Sequence, residues 1–268
     1  MLVQRSDARG RWCHTLLLLA LLLEFLGVTS FLGVSGSGLS EHPRSLDTAV
    51  WFANGCFWER QYAFVKVEQS FGRRSAESIT AVSGYAGGHD AGPEGRVCYY
   101  GDARSSYATL GHAEAVQVRV SSMAMFEAIA SNYFDSFIGA DGARTRPDPM
   151  DCCAAYRSAV GLPGGTKSVY YPALVRANTH NMTLRAGHGA DADVQNTVWV
   201  HDTTHQFGFH PAEVYHQFHS NFFASDGMQF VPEKGRLAYP PWYVTQLWRE
   251  QQAAGAIRPT GCPRGRHW

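Results

Sequence analysis

The chain has 268 residues, of which 45% are hydrophobic and 17% charged, enough apolar content for one good-sized core with extensions. Lysine plus arginine and aspartate plus glutamate number 23 each, so no global field gathers nucleic acid or holds the chain on an acidic membrane surface. A nucleic-acid partner is therefore not expected.

Residues 1–36 have the form of a targeting segment: Arg5, Arg9 and Arg11 precede an apolar run from Leu16 to Leu26, and small residues follow from Gly27. A cleaved signal peptide and an uncleaved signal anchor both fit, because the apolar stretch continues through Phe31 and Leu32 and approaches spanning length. Either route leads into the secretory pathway, to a secreted or membrane-anchored protein or to an organelle reached through the endoplasmic reticulum. The sequon Asn181-Met182-Thr183 suits that route. A polar linker, 37–47, comes next.

Residues 49–53 are short and apolar, as a buried strand is, and run directly into Gly55-Cys56. From Cys56 to about Phe71, Phe57, Phe64, Val65 and Val67 mix with charged residues and no glycine or proline intervenes until Gly72, which predicts an amphipathic helix. The stretch 77–83 predicts a strand that ends in the glycine-rich turn Gly84-Tyr85-Ala86-Gly87-Gly88. Val116, Val118 and Val120 alternate with polar residues in a strand over 112–120, and Met125, Phe126, Ile129, Phe134 and Phe137 recur at helical spacing over 123–138. A loop with Pro147 and Pro149 leads to a strand at 156–162. The pattern is then weak as far as Gln195, and a strand at 197–200 and a helix opened by Pro211 and running to Phe223 follow. Residues 224–268 read as a proline-containing extension with one short helix near 242–252.

Six cysteines are present, and Cys13 lies in the targeting segment, leaving the odd set Cys56, Cys98, Cys152, Cys153 and Cys262. An odd count in an exported protein points to a free reactive thiol. Cys56 is the candidate, since a thiol at a strand-to-helix corner meets unpaired backbone N–H groups and the positive end of the helix dipole, both of which favour thiolate.

Gly55-Cys56-Phe57-Trp58, then Gly84-Tyr85-Ala86-Gly87-Gly88, then Gly111-His112-Ala113-Glu114-Ala115-Val116 resemble the successive motifs of the A-type peptide methionine sulfoxide reductases. Asp151 followed by Tyr156-Arg157-Ser158, and Ala212-Glu213-Val214-Tyr215-His216-Gln217, resemble the family's later blocks, so the resemblance covers about 48–223. It implies a catalytic domain over 48–223 followed by a C-terminal extension, 224–268. Its implied fold is a single α/β (α+β) domain, a two-layer sandwich of a mixed sheet with helices packed on it.

The resemblance also implies thiol-dependent reduction of the S epimer of methionine sulfoxide, free or in proteins. Cys56 is then the nucleophile, and Phe57 and Trp58 line the pocket for the S-methyl group. Glu114 is the acid, and Tyr85, Tyr156 and Asp151 surround the sulfoxide oxygen. A carboxyl buried among aromatics keeps its proton near neutral pH, which suits the protonation a sulfoxide oxygen needs before it leaves. The product on Cys56 is a sulfenic acid, later a disulfide, reset by a thioredoxin-like external dithiol with no bound cofactor. Cys262 in its Gly- and Pro-containing tail, Cys152 and Cys153 beside Asp151, and Cys98 are the candidates for the resolving thiol.

Glu59 stands where the family's glycine is usual, as does Cys153, and Ala155 stands where a glutamine is usual. The stretch 99–110 is longer than in typical members, and Leu110 replaces a common threonine. These departures keep open a catalytically inactive sulfoxide-binding homologue. Two other classes compete. His201, His205, His210, His216 and His219 suggest a metal-binding protein, and a general thiol peroxidase would need a reactive cysteine without a methyl-sized aromatic pocket.

Overall fold

The computed structural model describes residues 47–218 apart from 141, together with 229–231, 236–238, 247, 249–255 and 257–263 of the extension. The targeting segment and all of the linker but Asp47 lie outside the described residues. No helix among the described residues is long and apolar enough to cross a membrane.

Strand β1 (Thr48–Ala53) lies at the middle of a seven-stranded mixed sheet, because its last four residues are buried and both of its edges are paired. On one side it runs antiparallel to β3 (Ala113–Val120), which pairs in turn with β2 (Val82–Ala86) and, through β2, with the two-residue β7 (His210–Pro211). On its other side β1 is antiparallel to β4 (Ala159–Leu162), and β6 (Thr197–Asp202) and β5 (Thr183–Ala186) continue the sheet in parallel. A separate two-stranded ribbon joins β8 (Gln229–Val231) to β9 (Arg236–Ala238). The mixed sheet carries helices α1 (Phe57–Ser70), α2 (Met123–Asp135) and α3 (Tyr171–Ala177), as the resemblance implied.

Period-two alternation assigns the two faces. Val50 and Phe52 of β1, and Glu114, Val116, Val118 and Val120 of β3, point toward α1 and α2, whereas Trp51, Ala53, Ala113 and Ala115 form a smaller cluster with Trp199, Phe207 and Phe209 on the opposite face. Phe52 is wholly buried among Phe64, Phe126 and Tyr133, at ring-centroid distances of 5.3 to 6.1 Å, and truncation there to alanine costs about 3–5 kcal/mol. One residue, Glu114, thus places a carboxyl among the valines of the main core.

Three local expectations differ from the structure. The strand expected over 77–83 is displaced: Ala76–Ser78 make a 3₁₀ turn, and β2 runs on through Gly84, Tyr85 and Ala86, which were expected in a turn, since tertiary pairing with β3 and β7 claims their backbone; a Cβ on Gly84 would sit 2.3 Å from the His210 carbonyl oxygen. Residues 211–218 make no α-helix, only a 3₁₀ turn at Val214–His216. Buried Gln217 instead receives the Ser83 N–H at 2.9 Å and donates to the Ser83 carbonyl at 2.8 Å, copying a strand partner, which outweighs local helix propensity. Helix α3 and strand β5 occupy a stretch with no clear periodicity, because α3 buries only three residues and β5 none.

Candidate active site

Strand β1 delivers the chain to Gly55, whose φ of +71° and whose missing Cβ, which would lie 2.3 Å from Asp151 Oδ2, both require glycine. The next residue, Cys56, is the N-cap of α1. Two carboxylates close this helix end: Asp151 Oδ2 accepts the Cys56 N–H at 2.7 Å and Glu114 Oε2 accepts the Phe57 N–H at 2.9 Å. A further tie, Gly55 N–H to the Tyr156 carbonyl at 3.1 Å, binds the corner to the segment that carries Asp151. Arg146 steadies that segment by donating to the Asp151 carbonyl at 2.7 Å and pairing with Asp193.

This arrangement corrects the expected thiolate. Burial pushes the Cys56 thiol well above its usual value, and the charge of nearby Glu114 adds to the effect; the backbone N–H groups of Trp58 and Glu59 pull it down, but by less. The helix-end N–H groups act in the expected direction, but desolvation outweighs them.

Glu114 is buried, and its carboxyl is pushed up to about 8, first by desolvation; the Phe57 N–H bond and the hydroxyls of Tyr107 and Tyr156 oppose this, and Asp151 reinforces it. At neutral pH it therefore holds a proton within a few ångströms of the cysteine backbone. Tyr107 donates to Glu114 Oε1 at 3.5 Å. Burial and the same carboxyl push the Tyr156 and Tyr107 phenols up, so both keep their protons as hydrogen-bond donors.

The aromatic wall is larger than Phe57 and Trp58. Phe57 is buried, Trp58 is half-buried, and the Trp58 indole donates to His216 Nδ1 at 3.1 Å. His216 lies 4.6 Å from the Tyr99 ring and 5.0 Å from the Phe57 ring, while Tyr107 stacks on Tyr85 at 4.7 Å. Tyr85 is wholly buried and its hydroxyl is donated to Glu213 Oε2 at 2.7 Å. The other Glu213 oxygen accepts the Tyr99 N–H at 2.8 Å.

Of the residues expected from the sequence, the structure brings together Cys56, Phe57, Trp58, Glu114, Asp151 and Tyr156; Tyr85 differs, since its ring packs 5.9 Å from Phe57 but its hydroxyl is given to Glu213 rather than left for the sulfoxide oxygen, and Tyr99, Tyr107, Glu213 and His216 were missed. Glu213 and His216 stood inside a recognised block without a role. Tyr99 and Tyr107 belong to the long stretch read only as an insertion. Of the histidines considered for a metal, His201 is buried against Trp51 and Phe207 beside Asp191, His216 serves Trp58, and His219 lies outside the described residues.

The remaining thiols divide into two groups. Cys98 and Cys262 form a disulfide with Cα atoms 5.6 Å apart, closing the extension onto the domain across 164 residues. Two of the four resolving candidates are thus paired with each other. Cys152 and Cys153 are free and exposed, with sulfurs 3.0 Å apart.

A family model described as peptide methionine sulfoxide reductase matches residues 48–233. Among solved structures, methionine sulfoxide reductase A of Corynebacterium diphtheriae is 17% identical, with 68% of this chain and 80% of that chain covered and a TM-score of 0.41. Mxr1 from Saccharomyces cerevisiae in reduced form is 16% identical, with 72% and 93% covered and a TM-score of 0.39. A search of curated proteins found no match.

Proposed function

The chain belongs to the peptide methionine sulfoxide reductase family, and from that premise we propose that it reduces the S epimer of methionine sulfoxide, free or in proteins, with Cys56 as nucleophile and Glu114 as acid. One observation carries this reading: a carboxyl pushed up to about 8 is hydrogen-bonded to the residue that follows the cysteine.

In the proposed reaction the Cys56 sulfur attacks the sulfoxide sulfur while Glu114 gives its proton to the oxygen. Glu114 then recovers a proton from the Cys56 thiol, so no free thiolate is needed at rest. The hydroxyl then passes from the substrate sulfur to the Cys56 sulfur as the sulfur–sulfur bond between them breaks, so that methionine leaves, Cys56 is left as a sulfenic acid, and the sulfoxide sulfur has gained the two electrons that the cysteine lost. Tyr107 and Tyr156 donate hydrogen bonds where negative charge gathers on the oxygen. Phe57 and Trp58 hold the S-methyl group. A second thiol then forms a disulfide, and a thioredoxin-like dithiol restores the enzyme without a bound cofactor. The targeting segment and the exposed Asn181 of the sequon support work in the secretory pathway, secreted or anchored.

Reduction of a racemic methionine sulfoxide peptide by the full chain with dithiothreitol tests this. Loss of the S epimer alone, abolished by Cys56→Ser, is expected; no turnover by a chain whose Cys56 still alkylates would overturn it. Trp58→Ala separates reductase from peroxidase: it should raise KM for sulfoxide at least tenfold and leave hydrogen peroxide consumption unchanged.

A further inference from the structure

We propose that Cys152 and Cys153 form an internal dithiol relay, in which Cys152 resolves oxidised Cys56 and Cys153 then displaces Cys56, leaving a Cys152–Cys153 disulfide at the surface. The proposal rests on the reductase reading above and names the thiols that serve it.

Four observations point there. Cys98 and Cys262 are committed to each other, so among the described residues Cys152 and Cys153 are the free thiols other than Cys56. Their segment is anchored to the nucleophile's own corner, because Asp151 accepts the Cys56 N–H at 2.7 Å and Cys152 follows immediately. Standard bond lengths through that contact limit the Cα separation of Cys56 and Cys152 to about 12 Å. A disulfide needs about 4.4–6.8 Å, so a shift of a few ångströms in the exposed segment that carries Met150 and Cys152 suffices. Third, both sulfurs are exposed and lie 3.0 Å apart, within reach of an external reductant.

Fourth, Cys153 adopts φ +72°, where a side chain is disfavoured and where the family's usual glycine fits without strain. A cysteine held in that conformation keeps its sulfur against that of Cys152.

The steps balance. Cys56 sulfenic acid and the Cys152 thiol give a Cys56–Cys152 disulfide and water. The Cys153 sulfur attacks Cys152, the Cys56–Cys152 bond breaks, and the proton lost by Cys153 ends on Cys56. An external dithiol finally reduces Cys152–Cys153 and is itself oxidised to a disulfide. Adjacent Cα atoms are about 3.8 Å apart, closer than an ordinary disulfide prefers, so this bond is readily reduced.

The relay predicts a stoichiometry. Without reductant, full chain with the Cys98–Cys262 disulfide intact and the other thiols reduced should yield two methionines per chain. The first oxidising equivalent passes to Cys152–Cys153 and the second remains on Cys56. Cys153→Gly, which suits the backbone better than cysteine, should fold and yield one methionine, with a Cys56–Cys152 disulfide found by peptide mapping. Cys152→Ser should also yield one. One methionine from the unsubstituted chain, or two from both variants, would overturn the relay. No methionine from any of them would overturn the reductase reading itself.

Discussion

Replacing Glu114 with glutamine separates the two effects of a buried carboxyl, one on catalysis and one on stability. The folded-state value of about 8 lies above the ordinary 4.5. Between those values the folded chain holds a proton that the unfolded chain has released. Ionisation therefore favours unfolding, and stability falls as pH rises from about 4.5 to about 8. At about 1.4 kcal/mol per pH unit, the loss reaches about 3 kcal/mol at pH 7 and about 5 kcal/mol above pH 8. Glutamine cannot ionise, and its carbonyl still accepts the Phe57 N–H. Urea unfolding of both proteins at pH 5, 7 and 9 should show the variant gaining on the parent as pH rises. Its kcat/KM should fall about 10²-fold or more, the usual worth of a general acid. Parallel stability curves for the two proteins across that range would refute a raised Glu114 and with it the acid role.

Tyr107→Phe removes a hydroxyl that draws Glu114 down, so the alkaline fall in kcat/KM should move to higher pH; a pH–rate profile with an unmoved limb would count against the contact. Gly55→Ala meets both a φ of +71° and a contact of 2.3 Å with Asp151. It should lose at least about 1–2 kcal/mol of stability from backbone strain alone and displace Asp151 from the Cys56 N–H, lowering both the urea midpoint and kcat. The Cys98→Ser/Cys262→Ser double variant opens a loop of 164 residues, for which chain entropy gives about 5 kcal/mol. Calorimetry of the non-reduced proteins should show a clear drop in Tm, with the methionine yield per chain unchanged.

The strand-to-helix corner at Gly55-Cys56, the valine alternation of β3 and the apolar stripe of α2 were legible because each follows from short-range periodicity and from residues with few conformational options. The motif residues were legible for a related reason: thiol, carboxyl and phenol chemistry needs particular side chains, and these stood in family order. Residues 211–218 were not legible, since Pro211 announced a helix while the buried Gln217 amide pairs with Ser83 from a distant strand. Tyr99 and Tyr107 were hidden in an apparent insertion, which reaches the site through ring contacts with His216 and Tyr85 and through hydrogen bonds to Glu213 and Glu114.

Sequence by itself determined which chemical groups the protein carries, and where its central strands and first two helices lie. Tertiary structure alone decided the protonation of Cys56, because its desolvation and the two carboxyl groups that close its helix end depend on residues 57 and 95 positions apart. It alone decided which thiols are free as well, because the partner of a cysteine is set by how close folding brings two Cα atoms, and no spacing along the chain records that distance.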